Sequence, residues 1–180
     1  MKLFIASDIH GSAYFCEKML ECAKQENADE ILLLGDILYH GPRNDLPEDY
    51  SPKKCIAMLN PLKDKITSVR GNCDAEVDQM VLEFPIMADY KIIEHDGKTI
   101  FCTHGHIFSE NNPYPVDNDA IILQGHTHIP KWEMENGYIN LNPGSVSIPK
   151  ENSHHGYMIF ENGIFTWKDF DGNIINTYEI

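Results

Sequence analysis

Apolar positions in the first half of the chain fall into short runs that stop at glycine or a polar residue, separated by stretches of helical period. Leu3 to Ala6 is such a run and ends at Ser7-Asp8, which predicts a strand. Ser12 then stands where a helix N-cap is needed, and Phe15, Met19, Cys22 and Ala23 recur at offsets of 0, 4, 7 and 8, one face of a helix. Ile31-Leu32-Leu33-Leu34 is continuously apolar, as a central strand covered on both faces should be, and stops at Gly35-Asp36. A polar loop with Gly41, Pro42 and Pro47 follows. Ser51-Pro52 next has the chemistry of an N-cap and first turn, predicting a helix through about Leu59. Ile66 to Val69 is another strand, ending at Gly71-Asn72. This β-α-β-α-β order favours a parallel sheet.

The second half has a different rhythm. Asp96-Gly97, Asn136-Gly137, Asn162-Gly163 and Asp171-Gly172 each stand between strand-like segments. Such dipeptides tolerate positive φ at both central residues and read as hairpin turns. Lys98 to Cys102 and Ala120 to Leu123 are further strands, leading into Thr103-His104-Gly105-His106 and Gly125-His126-Thr127-His128. With no linker and no repeat, the pattern predicts two packed sheets with helices outside, in one domain spanning residues 1–180.

Composition narrows the function. The 180 residues are 42% hydrophobic, enough for a core. The formal net charge of −14 disfavours stable binding to a nucleic-acid backbone. No apolar run approaches the roughly 20 residues of a membrane span, and the N-terminal run is too short for a secretory core. Cys16, Cys22, Cys55, Cys73 and Cys102 include no CxxC pair, so reduced thiols in the cytoplasm are expected.

The candidate chemistry shares one placement, at the end of apolar strands: Asp8-x-His10, Gly35-Asp36, Gly71-Asn72-Cys73-Asp74, His104-Gly105-His106 and Gly125-His126-Thr127-His128. In an open α/β sheet, ligands bind in the crevice beyond the carboxyl ends of the strands. Imidazole and carboxylate together suit Mn, Fe or Zn, and no thiolate cluster calls for a softer ion. Each motif alone is weak. Asp8 or Asp36 by itself reads as a helix cap and His104 as a loop histidine, but two His two residues apart in GHTH rarely have a packing explanation.

Taken in order, D-x-H, GD, GN-x-D, GH and GHTH resemble the calcineurin-like metallophosphoesterase superfamily. SDIHGS (7–12), LGDILYHGPRN (34–44), VRGNCD (69–74), THGH (103–106), GHTH (125–128) and NPGSVSIPK (142–150) are similar to its YfcE-type phosphodiesterases. The resemblance implies a four-layer α/β/β/α sandwich with two central mixed sheets and a dinuclear centre, most often manganese, with Fe, Zn or Ni as alternatives. By motif, Asp8, His10 and His128 would hold the first metal, Asn72, His104 and His126 the second, and Asp36 would bridge. The chain departs from many of the superfamily's phosphatases at Cys73, where they carry the His given the role of protonating the leaving group.

The implied reaction is phosphodiester hydrolysis by a metal-bridging hydroxide, the ions about 3.5–4 Å apart. Two divalent ions, two carboxylates and a hydroxide leave about one positive charge, which a diester anion neutralises. Cys73 is read as either a buried neighbour of the centre or a catalytic group. Arg43 reads as a phosphate contact or as a salt bridge to Asp45 or Glu48, and His40 as a phosphate contact or a plain loop residue. Asp74 is expected to order neighbouring loops, His106 to sit behind the ligands, Asn142-Pro143-Gly144-Ser145 to close the back of the site, and His95, His154 and His155 to be surface residues. The expected partner is a small phosphodiester, with a homo-oligomer left open. The rival readings are a phosphomonoesterase on the same site, a non-catalytic scaffold resembling a retromer subunit, and a thiol protein.

Overall fold

The computed structural model describes residues 1–109, 111–135 and 137–180. Its elements are β1 (Leu3–Ala6), α1 (Ala13–Gln25), β2 (Glu30–Leu33), α2 (Pro52–Leu59), β3 (Ile66–Ser68), α3 (Glu76–Gln79), β4 (Tyr90–His95), β5 (Lys98–Thr103), β6 (Ile121–Leu123), β7 (Lys131–Glu135), β8 (Tyr138–Asn142), β9 (Gly156–Glu161), β10 (Ile164–Asp169) and β11 (Ile174–Glu179). They build two mixed sheets, ordered β11-β10-β9-β1-β2-β3 and β4-β5-β6-β8-β7. β1, β2 and β3 pair in parallel, as do β5, β6 and β8, so both parallel cores point their carboxyl ends toward loops that carry the candidate motifs.

Alternation along β1 and β2 explains the packing. Phe4, Ala6, Ile31 and Leu33 face the helices and join Cys16, Met19, Cys22, Cys55 and Leu59 in one core. Leu3, Ile5, Leu32 and Leu34 face the other sheet, against Ile100, Cys102, Ile121, Leu123 and Leu141. The continuous run of β2 is thus buried on both sides, as its composition predicts. Trp167, fully buried, donates its indole N–H to the Asn142 carbonyl at 2.7 Å.

Three local expectations change. The buried face of α1 is centred on Cys16, whereas Phe15 is partly buried and stacks on His155 with ring centroids 3.9 Å apart. Ser12 does cap α1, accepting from Phe15 N, but Ser51 makes no side-chain cap on α2. Among the described residues no helix covers the outer face of the second sheet. There the loop between β5 and β6 supplies Phe108 and Tyr114, which pack on Phe101.

Two hairpins are as the dipeptides predict, with positive φ at Asp96 and Gly97 and at Asn162 and Gly163. The Asp171-Gly172 turn is different. Only Gly172 has positive φ, and the Asp169 carboxylate organises the loop by accepting from Asp171 N and Asn173 N. Asn136 of the fourth dipeptide lies outside the described residues. All five cysteines are free thiols.

Candidate metal centre

Five of the residues singled out by motif, Asp8, His10, Asp36, His126 and His128, adopt positive φ between 49° and 67°. Left-handed backbone costs a non-glycine residue roughly 1–3 kcal/mol and concentrates where the surrounding structure over-determines it. Here backbone hydrogen bonds join the strand ends: Asp8 N donates to Gly35 O, His10 N to Asp36 O, and Gly125 N to His104 O. Gly125 is required by close approach, since a Cβ there would overlap Ser7 Oγ and the Asp8 carboxylate. Gly71 is likewise required, because a Cβ would overlap Asp36.

The loop after β8 holds the Asp8 turn from behind. Ser145 and Ser147 both donate hydroxyl protons to the Asp8 carbonyl, at 2.9 and 3.1 Å. The Asp74 carboxylate plays the ordering part expected of it, accepting from Asp36 N, Ile37 N and Gly71 N at 2.7–2.9 Å.

The imidazoles are oriented by their second nitrogens. His10 Nδ1–H donates to Tyr39 O at 2.8 Å, His104 Nδ1–H to Leu34 O at 2.6 Å, and His128 Nδ1–H to Ile148 O at 2.7 Å. Each neutral ring therefore presents a bare Nε2 lone pair to the site. His10 and His128 face each other Nε2 to Nε2 at 3.2 Å, and His128 Nε2 lies 3.2 Å from Asp8 Oδ1. That oxygen is buried and, with neutral imidazoles, has no hydrogen-bond partner; Asp8 Oδ2 takes the Ser7 hydroxyl and His126 N. Asp36 Oδ1 accepts from Cys73 N at 2.7 Å, while Oδ2 lies 3.6 Å from His10 Nε2 and 3.4 Å from His104 Nε2. Asn72 presents Oδ1 to His104 Nε2 at 3.1 Å while its amide N–H points to Cys73 Sγ.

Buried acceptors facing acceptors repel unless a cation lies among them. The sets Asp8-His10-His128 and Asp8-Asp36-His104 each bring their ligand atoms within 4.8 Å of one another, and a further set joins His10, Asp36 and Cys73. Hard and borderline donors at that spacing fit divalent ions of the first transition row. Titration follows the same logic, because protons are the only cations these residues can recruit by themselves. Burial raises the Asp8 pKa, but His10 and His128 outweigh it and hold the carboxyl well below its usual range. Burial lowers His104, but Asp36 and Asp8 outweigh it and raise the imidazole to about 9.

The remaining motif residues are more loosely placed. The His126 ring lies 5.0 Å from that of His104 and its pKa is lowered, by burial first and then by His104. His106 packs 5.3 Å from His104. Burial and the nearby Asp36 charge push the Cys73 thiol up to about 12.

A cleft of about 430 Å³ opens onto His10, Asp36, Asn72, Cys73, His126 and His128. Arg43 lines it and makes no ion pair with Asp45 or Glu48 among the described residues. His40 does not line it: its ring packs edge-on against Tyr39 and Tyr50. Lys150, Asn44 and Thr127 also line the cleft. Lys150 ends a motif whose sequence reads as structural, and its position just past the loop that holds Asp8 was the available signal. His95, His154 and His155 are half-buried rather than surface groups, and His155 donates Nδ1–H to Val146 O.

Strand-end carboxylates and imidazoles over two mixed sheets define a metallophosphoesterase architecture, and the chain belongs to the calcineurin-like phosphoesterase superfamily, whose domain profile matches residues 1–163. It is 44% identical to Phosphodiesterase YfcE of Escherichia coli strain K12 over 166 residues, 92% of this chain and 90% of that protein. The solved structure of E. coli YfcE superposes with a TM-score of 0.93 at 42% identity over all of both chains. A probable metallophosphoesterase of Bacillus subtilis, YsnB, is 26% identical over 95% of this chain and 91% of its own. Vps29 of Entamoeba histolytica, solved with zinc, shares the fold at TM-score 0.60 and 18% identity, over 100% of this chain and 98% of its own.

Proposed function

We propose that the chain is one domain that hydrolyses small phosphodiesters at a centre of two divalent ions, held by Asp8, His10 and His128 on one side and Asn72, His104 and His126 on the other. Asp36, whose Oδ2 lies 3.6 Å from His10 Nε2 and 3.4 Å from His104 Nε2, would be the residue shared between the two ions. The observation carrying this reading is the cluster of buried carboxylates and imidazole nitrogens facing one another, in which no Lys or Arg among the described residues pairs with Asp8 or Asp36. Ions bound there supply Lewis acidity and an activated water for in-line attack on phosphorus.

The protein's own groups do the rest. Backbone carbonyls of Tyr39, Leu34 and Ile148 fix which imidazole nitrogen faces the site. Arg43 and Lys150, from the rim, neutralise non-bridging phosphate oxygens. Cys73 lines the cleft beside Asp36, and in the metal-free protein burial and the Asp36 charge keep it a neutral thiol. Manganese is the preferred metal, and the setting is cytoplasmic, a reading supported by the five free thiols. The charge of −14 argues against stable nucleic-acid partners.

The test is metal-dependent hydrolysis of a panel of diesters and monoesters, with metal content measured alongside. Asp36→Asn should lose at least one ion and about a thousandfold in turnover. A metal-replete Asp36→Asn protein with near wild-type turnover refutes the two-ion mechanism. Preference for monoesters would favour a phosphomonoesterase, and a metal-free, inactive protein would favour the scaffold reading, which the intact donor set disfavours.

A further inference from the structure

A second cavity, of about 310 Å³, opens beside the cleft and is walled by Leu38, Tyr39, Tyr50, Pro52, Ala75 and Val77. Cys73 lines both spaces, so they meet at that residue. Their chemistry differs. The cleft carries imidazoles, Asp36, Arg43 and Lys150, whereas the second cavity is apolar and holds no basic residue. Its acid among the described residues, Asp78, accepts from Ala75 N through Oδ2 at 2.9 Å.

Two of the wall residues are open to water, whereas Leu38 is buried. Tyr39 is 41% exposed and Val77 64%. Tyr39 is nevertheless fixed relative to the metal centre, because its carbonyl is the one that orients His10. His40 stacks edge-on against both Tyr39 and Tyr50, giving the cavity an aromatic wall.

We propose that this cavity receives one ester arm of the substrate, an uncharged aromatic or similarly flat apolar group, while the phosphate lies in the cleft. The inference rests on the phosphodiesterase reading and names its substrate class. An arm bearing a second phosphate finds no cation in the cavity, and a strongly hydrated arm leaves the apolar walls unmatched. An aromatic arm removes the exposed faces of Tyr39 and Val77 from water and stacks on the aromatic wall.

The test is calorimetric binding of phenyl phosphate, methyl phosphate and inorganic phosphate to metal-loaded protein. The three share the phosphate and differ only in the arm. Phenyl phosphate should bind about tenfold tighter than methyl phosphate, the effect of burying part of one ring. Tyr39→Ser/Val77→Asn should bring the ratio close to one, and Tyr39→Phe should keep it. Should the double variant fail to bind inorganic phosphate, Val77→Asn alone carries the same comparison, with a reduced ratio expected.

Equal affinities in the wild-type protein, or a ratio unchanged in the variants, overturns the proposal while metal-dependent diester turnover stands. Val77→Asn that splits an oligomer and leaves the ratio intact also overturns it, assigning the patch to a second copy. Absence of metal-dependent hydrolysis of a diaryl diester removes the function and the cavity's role together.

Discussion

Stripping the metal and then raising the pH perturbs the one feature on which the functional reading depends, the facing acceptors. His104 is the group to follow. Its pKa rises from 6.5 to about 9 because Asp36, 3.4 Å away, and the Asp8 charge outweigh the cost of burial. A raised folded pKa stabilises the metal-free fold fully below the unfolded value near 6.5, and that contribution is lost as pH climbs through about 9. The interval corresponds to about 3 kcal/mol. For a chain of this length each kcal/mol moves the melting temperature about 2–4 °C, so Tm should fall about 6–12 °C. His10, also raised after Asp8 outweighs its burial, acts in the same direction.

The assay is thermal unfolding by circular dichroism from pH 6.5 to 9.5, on chelated protein with metal content verified. His104→Gln should flatten the profile. Saturating Mn2+ should flatten it too, because the lone pairs no longer take protons, and at a hundredfold over Kd it should add about 2.7 kcal/mol. The gap between loaded and stripped protein should therefore widen with pH. A metal-free Tm that stays level across this window refutes the account of the site as buried acceptors awaiting a cation.

Arg43→Ala should lower kcat/KM for an aryl phosphodiester about ten- to a hundredfold, mainly through kcat, since a charge-assisted contact contributes about 1.5–3 kcal/mol. Arg43→Lys should recover little, and wild-type kinetics in Arg43→Ala would restrict the residue to the rim's structure. Gly125→Ala should weaken metal binding tenfold or more, because the new Cβ displaces Ser7 and the Asp8 carboxylate that the Ser7 hydroxyl and His126 N hold. Metal titration followed by Tm reads this, and an unaltered apparent Kd would show that the site adapts at no cost.

What the chain determined locally is the kind of element and the place where each ends. Apolar runs stopping at Asp8, Asp36, Asn72 and His104 mark strand ends because side chains alternate along a strand and a doubly covered strand tolerates no polar interruption. Gly-containing dipeptides mark two of the hairpins because positive φ is a property of single residues. Thus the two-sheet class and the candidate metal residues were legible, whereas their mutual geometry was not.

Only the tertiary structure puts His10 Nε2 against His128 Nε2, across 118 positions, or leaves Asp8 Oδ1 bare. Those facts depend on β9 pairing with β1 and on the loop after β8 threading behind Asp8, which no local pattern encodes. The same holds for Lys150, brought to the cleft by that loop, for His40, turned edge-on against Tyr39 and Tyr50, and for Phe108 and Tyr114, which cover a sheet face where helix was expected. Periodicity is a property of neighbours in the chain, but a site is a property of distances between chain segments, and those are decided when the sheets choose their order and pack.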